Sequence, residues 1–310
     1  MSPTESLRLG GSFCDSAAIE GEAKQSLGAA AAKPVASPTQ LFYEANPYPA
    51  MGAAGLYAYL RMKRELLQEL GLPLRYLRGR TLLEAACGTG ESTLAFARLT
   101  SAPAVGVDFS GPSIEIAERL SRELGASDVR FLQRDITALG DVGGPFDIVV
   151  CEVVHQTADP HATVRGLAEQ VNDGGHLILS VANRLGNLAD TMRVHLVTRL
   201  AGKDEARRIA VARRLFFNPL AGHTRVRGVR KKVLLNLDAV IADIYGHPFR
   251  RNYSAATIVG WLQASGLECV SACPQLPLGP DGRRGRLGTE LRMFRDNTYH
   301  LAILARKRAR

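Results

Sequence analysis

One stretch, Thr81 to Ser110 (TLLEAACGTGESTLAFARLTSAPAVGVDFS), constrains the fold more than any other. Leu82, Leu83, Ala85 and Ala86 form a short apolar run, and Gly88 and Gly90 follow where the chain must turn tightly. Glu91, Ser92 and Thr93 then open a helix, and Val105, Gly106 and Val107 lead into Asp108. A buried strand, a glycine turn, a helix and a second strand ending in an acid make up a nucleotide-binding unit. Glycine backbone meets the ligand at one end, and a carboxylate meets ribose hydroxyls at the other. A dinucleotide does not fit in detail: the third glycine of its pattern would fall at position 93, where Thr93 stands.

The chain after this unit keeps the same rhythm. Pro112–Leu124 reads as an amphipathic helix, and Val129–Asp135 as a strand that ends in Asp135. Phe146–Val153 is a nearly continuous apolar run, the pattern of a strand buried on both faces. Pro160–Val171 reads as a helix and His176–Ala182 as a fifth strand. Strands alternating with helices at this pitch predict an α/β fold, a doubly wound and mostly parallel sheet with helices on both faces. The alternation stops at Asn183 and resumes with a helix over Ser254–Ser265 and strands over Leu267–Cys273 and Tyr299–Ala305. The 183–248 segment between is mainly helical and basic, and long for a connection, so it reads as an inserted cap. Pro274–Gly288, rich in proline, glycine and arginine, is expected to be mobile. Residues 1–38 read as a disordered tail and 39–80 as an arm and helix. In that arm Asn46, Pro47, Tyr48 and Pro49 impose an extended path, and Tyr43 and Tyr48 stand where they can close over a ligand. The core is then 81–182, completed by 249–310.

Charge is segregated. The net charge is +9, yet Arg199–Lys232 alone carries +9 and Arg283–Arg310 carries +7, so the remainder carries −7. Such a basic surface attracts anions, or else is a solvated face only. No run of about 18 apolar residues is present and no secretory pattern opens the chain, so a soluble, cytoplasmic protein without a membrane partner is expected. The five cysteines show no metal-type pairing, and no metal site is expected. Oligomeric state is not legible.

The motifs resemble, in order, those of the class I S-adenosylmethionine-dependent methyltransferases. LLEAACGTG is similar to their first motif, with Ala86 at its first glycine; GVDFS, FLQRDI and FDIVVCEVVHQTADP are similar to the next three. The resemblance implies a seven-stranded Rossmann-like sheet and S-adenosylmethionine as cofactor. It implies that Glu84 and the backbone over Ala86, Gly88 and Gly90 hold the methionine part. Asp108 would then take the ribose hydroxyls, Phe109 would lie beside the adenine, and Asp135 and Ile136 would flank it. Tyr48 and Glu152 are further candidates for cofactor contact. More narrowly, Asn46–Pro49, Val153–Pro160 and His247-Pro248 through Tyr253, Trp261 and Leu262 resemble a bacterial subgroup with an N-terminal Asn-Pro-Tyr-Pro segment, although Gln156 replaces the second histidine of its pair.

The methyl acceptor is less legible. His155 follows the fourth strand, where such enzymes place acceptor-facing groups, and an ordinary imidazole titrates near neutrality. His247 and Tyr253 form a second candidate group. The basic insertion offers Arg207, Arg208, Arg213 or Arg214 to an anionic group. A small-molecule methyl acceptor is favoured over nucleic acid, because RNA-binding surfaces add stacking aromatics and Phe216 and Phe217 sit in an apolar run better explained as core. An RNA methyltransferase and a non-catalytic cofactor-binding module remain the alternatives.

Overall fold

The computed structural model describes residues 37–45, 47, 50–216, 241–247, 251–279, 282–296 and 298–309. The expected tail up to residue 36, Asn46, Tyr48, Pro49, Phe217, Pro248 and Arg250 lie outside the described residues.

Three helices precede the core: α1 (Pro38–Ala45), α2 (Gly52–Glu69) and α3 (Leu74–Leu77). Tyr43 therefore sits on a helix, not on the extended arm expected from the nearby prolines. The core then runs β1 (Leu82–Ala85), α4 (Glu91–Thr100), β2 (Ala104–Asp108), α5 (Gly111–Glu123), β3 (Val129–Gln133), β4 (Phe146–Cys151), α6 (Pro160–Glu169) and β5 (Val171–Ala182). Helix starts follow local chemistry. Ser110 and Asp159 cap α5 and α6 through their side-chain oxygens, and proline occupies the first turn of each. β5 begins five residues before its expected start at His176, the glycine-containing segment being absorbed as a register shift against β4.

The insertion contributes α7 (Leu188–Ala201), α8 (Glu205–Phe216) and a π-helical turn, Ala242–Gly246. The chain closes with α9 (Ala255–Ala264), β6 (Leu267–Cys273), α10 (Arg283–Asp296) and β7 (His300–Lys307). Helix α10 corrects the reading of Pro274–Gly288 as a mobile stretch. Its anchors are polar: Arg286 donates to the carbonyls of Pro277 and Gly279, and Thr289 to that of Gln275.

The seven strands lie in the order β3-β2-β1-β4-β5-β7-β6, parallel except for β7, which is antiparallel to both neighbours. Strand alternation sends Leu82, Ile148, Val150 and Ile178 to one face against Leu67, Leu70 and Phe96. It sends Leu83, Val149 and Leu177 to the other, with Val164, Leu167 and Ile258. Both faces are thus covered, as a parallel sheet requires. The chain crosses from one side of β1 to the other between β3 and β4, which opens a crevice at the carboxyl ends of the strands.

Candidate functional site

At the end of β1 the chain turns through Ala86 and Gly88, both in the left-handed region with φ of 63° and 53°. Ala86 keeps the turn that glycine makes in the related motif, at the steric cost a Cβ carries there. Gly90, at φ 86°, serves packing rather than the crevice: a Cβ there would lie 2.7 Å from Ala117 and 2.8 Å from Phe131. Asp108, at the end of β2, is buried. One of its oxygens accepts from Gly88 N at 3.0 Å and the other from Ser110 N at 2.9 Å. Burial raises its pKa, and these backbone donors work against the shift. The Phe109 amide also favours the ionised form; a carboxylate offers about four lone-pair positions, so acceptor capacity remains for a ribose hydroxyl.

Glu84, on β1, is buried and accepts from the Ser92 and Thr93 hydroxyls at the start of α4. Burial pushes its pKa up to about 7 even though Lys63 and the two hydroxyls favour the ionised form; Glu152 adds to the rise. Lys63 comes from α2, is 1% exposed, and places Nζ 2.7 Å from Glu152 Oε2. Burial would raise Glu152 as well, but the Lys63 charge and hydrogen bond, with His300 beside them, hold it below the usual carboxylate range. A carboxylate pair with one lysine forms the floor of the crevice.

The N-terminal helices are locked to this floor. Glu91 Oε1 accepts from Met51 N at 2.7 Å and Gly52 N at 3.1 Å, while Oε2 accepts from Thr89 Oγ1 at 2.6 Å. Tyr43 Oη lies 2.7 Å from Asp243 Oδ1 in the insertion and 3.3 Å from Gln156 Oε1 after β4. Its ring packs 5.5 Å from that of His247 and 6.1 Å from that of Phe109. The cavity of about 270 Å³ enclosed here is lined by Glu84, Ala86, Gly88, Asp108, Phe109 and Glu152 at one end. Tyr43, His155, Gln156, Asp243, His247 and His300 line the other. His155 is buried in the 3-10 turn Val154–Gln156, and its ring meets that of His300 edge-on at 5.6 Å. A larger, open hollow of about 620 Å³ lies on α5 and β3, and none of these residues lines it.

Not every anticipated residue comes to the cavity. Asp135 is exposed and caps its own turn, accepting from Thr137 N and Oγ1 at 2.8 Å. Ile136 is buried in the core. Tyr253 packs its ring 4.6 Å from Trp261, and its backbone bridges to Asn183. Tyr48 lies outside the described residues. Sequence reasoning missed Lys63, Glu91, Asp243 and His300. Lys63 leaves a trace, since it interrupts the apolar stripe of α2 at Leu56, Leu60 and Leu67.

Residues 77–211 match the family model described as "Methyltransferase domain". Over this segment the chain is similar to methyltransferase domains. Among curated relatives, an uncharacterized protein, syc1184_c, of Synechococcus sp. is 29% identical over 194 residues, 60% of this chain and 46% of that protein. The ubiquinone biosynthesis O-methyltransferase of Azorhizobium caulinodans is 37% identical over 112 residues, 36% of this chain and 44% of that one. The chain thus spans about half the length of the curated relatives it matches. PKMT2 of Rickettsia typhi, solved in complex with AdoHcy, shares the fold with a TM-score of 0.57 at 19% identity, over 84% of this chain and 54% of that one.

The residues present fit S-adenosylmethionine, the cofactor that the motif resemblance implies. Its ribose suits the remaining acceptor capacity of buried Asp108, and its methionine end, which carries an ammonium, suits the acidic floor of Glu84 and Glu152. Cys87 also lines the cavity, but burial raises its thiol pKa well above its ordinary value, so it is not a nucleophile there. Among the described residues no cluster suited to a metal is found, and no helix is long and apolar enough to cross a membrane.

Proposed function

We propose that the chain is an S-adenosylmethionine-dependent methyltransferase whose acceptor is a small molecule bearing an ionisable oxygen. The acceptor is received at the end of the cavity bounded by Tyr43, His155, Asp243, His247 and His300. The observation that carries this reading is the bridge from Tyr43 on α1 to Asp243 in the insertion, which spans the acceptor end. A cavity of about 270 Å³ is at the small end for ligand sites and suits a small molecule better than a polymer segment. Relatives named for O-methylation in ubiquinone biosynthesis support an oxygen acceptor.

S-adenosylmethionine supplies a methyl group on a sulfonium, open to in-line displacement. The protein's part is to hold the acceptor close, aligned and dry. His155 takes the acceptor's proton, and His300, whose Nδ1 lies 3.3 Å from Ser180 Oγ, backs it edge-on. Glu84, Asp108 and the backbone over Ala86–Gly88 would hold the cofactor, with Phe109 on the adenine side. Lys63 keeps Glu152 ionised, while the pKa of Glu84 beside it is pushed up to about 7. His247 and Tyr43 exclude water. Phe216 stacks 5.9 Å from Tyr245 and is not presented for stacking on a base, which weighs against the RNA alternative.

The test is incubation of an extract with methyl-labelled cofactor, followed by separation of small molecules from macromolecules. Label in the small-molecule fraction, lost in His155→Ala, is the expected result. Label in RNA or protein would overturn the reading of the acceptor. Binding of S-adenosylhomocysteine without transfer to any component would reduce the chain to a cofactor-binding module.

A further inference from the structure

Two helices of this protein present apolar faces to water. Helix α10 buries Arg286, Thr289 and Glu290 together with Met293, and exposes Leu287, Leu291 and Phe294 at 50%, 53% and 48%. The exposed three stand at i, i+4 and i+7, which is a single helical face. Each buried polar residue makes hydrogen bonds. Arg286 reaches two carbonyls, and Glu290 Oε1 accepts from Asn183 Nδ2 at 2.7 Å and from Ala255 N at 3.0 Å. These fixed anchors set the rotation of α10, and its apolar face is held outward.

Helix α7 repeats the pattern. It buries Asp190, Val197 and Ala201, and exposes Leu188, Met192, Leu196 and Leu200 at 38%, 66%, 47% and 52%, in steps of four along one stripe. The loop that leads into α7 rests on α10: Glu290 holds Asn183, and a Cβ on Gly186, two residues before α7, would lie 3.5 Å from Met293 Cβ of α10. Scattered exposed leucines are ordinary, but seven large apolar side chains on the outward faces of two helices linked through this loop form a contact surface.

Charge decides what fits it. Exposed Arg283, Arg284, Arg292 and Arg295 are interleaved with the apolar face of α10, and exposed Arg199 and Lys203 accompany the α7 stripe. Only Asp296, paired with Arg295, opposes them on the outer side of α10. A second copy docking by the same face would set arginine against arginine. An anionic lipid surface satisfies both properties at once, receiving apolar side chains below the headgroups and guanidinium groups among the phosphates. We infer that the α7–α10 face binds peripherally to an anionic membrane surface, with α10 lying in the interface plane. The inference concerns a membrane surface only: no described helix is long and apolar enough to cross one. It does not depend on the methyl-transfer reading.

The experiment is co-sedimentation of the full chain with phosphatidylcholine vesicles, with and without phosphatidylglycerol, at low and high salt. Binding to the phosphatidylglycerol vesicles is expected, weakened by salt and much weaker on phosphatidylcholine alone. Leu291→Glu/Phe294→Glu should lower the partition constant about tenfold or more per side chain, with S-adenosylhomocysteine affinity unchanged as the check on folding. Arg283→Gln/Arg284→Gln, at exposed positions, should lower it about fivefold per arginine on anionic vesicles only. It supplies the decisive comparison should the glutamate variant fold poorly. Absence of sedimentation with anionic vesicles, binding indifferent to both variants, or self-association abolished by Phe294→Glu in place of lipid binding would overturn the inference.

Discussion

The Lys63 ammonium on α2 lies 2.7 Å from Glu152 Oε2 at the end of β4, with Glu84 near enough to feel both charges. An N-terminal helix thus supplies the cation that lets acids of two neighbouring strands share one crevice floor. Lys63→Met removes that cation and leaves two carboxylates facing each other. A loss of about 3 kcal/mol in denaturant unfolding is expected, the low end for a broken buried pair because Glu152 retains solvent contact. Lys63→Met/Glu152→Leu should recover most of that stability. If the double variant is no more stable than the single one, the pair is not what holds α2 to the sheet.

The pH dependence of stability follows from Glu84. Its folded pKa of about 7 lies above the ordinary carboxylate value, so the folded state binds more protons between the two. Stability without cofactor therefore falls as pH rises from about 4.5 to 7, by up to about 3 kcal/mol, and levels off above. Glu152, held low, works in the opposite sense and loses its contribution as pH falls through the carboxylate range. Glu84→Gln should flatten the upper window alone, read from melting temperatures across pH. Cofactor binding that calls on ionised Glu84 should strengthen with pH over the same window and lose that dependence in Glu84→Gln.

How much of this was legible in sequence depends on how each residue is presented. Strands β1 and β4 were, because a strand buried on both faces reads as an apolar run, and Glu84 and Asp108 stand out as acids within or ending such runs. His300 was not. An antiparallel β7 brings its beginning, paired with Ala182, to the ligand end of the sheet, whereas every parallel strand brings its end there. Helix α10 was hidden for another reason: its inner face is polar, so the arginine- and glycine-rich segment looked unstructured. The Tyr43–Asp243 bridge joins residues 200 apart, and no local pattern announces it.

Ala86 tests the turn. Its φ of 63° is a glycine conformation carried by an alanine. Ala86→Gly relieves the Cβ contact and adds chain entropy in the unfolded state, and a net change between zero and about 1 kcal/mol of stabilisation is expected. Ala86→Val, with a branched side chain in the same region, should destabilise by about 2 kcal/mol and weaken S-adenosylhomocysteine binding. Equal stability of the glycine and valine variants would contradict the left-handed turn.

Asp108 has two duties that substitution can separate. Asp108→Ala leaves the amides of Gly88 and Ser110 without their acceptor and removes the ribose partner. Both the melting temperature and the affinity for S-adenosylhomocysteine should fall, the latter about a hundredfold as charged hydrogen bonds are lost. Asp108→Asn keeps one acceptor oxygen and should recover most of the thermal stability but little of the affinity. An alanine variant that binds with unchanged affinity in calorimetry would remove Asp108 from the cofactor site.

Tyr43 is the residue by which α1 and the insertion meet over the acceptor end, so it should govern the acceptor and spare the cofactor. Tyr43→Phe keeps the ring against Phe109 and His247 but loses the hydrogen bond to Asp243. The closed arrangement is weakened by about 1–2 kcal/mol, the contribution of a hydrogen bond to a charged group. Under the proposed function, KM for the acceptor rises about tenfold while S-adenosylhomocysteine affinity changes little, because no group assigned to the cofactor is touched. Tyr43→Phe/Asp243→Asn should show little more than either change alone, since both act through one bond. If the two effects multiply instead, Asp243 contacts the acceptor in its own right, and the bridge is not the closing element.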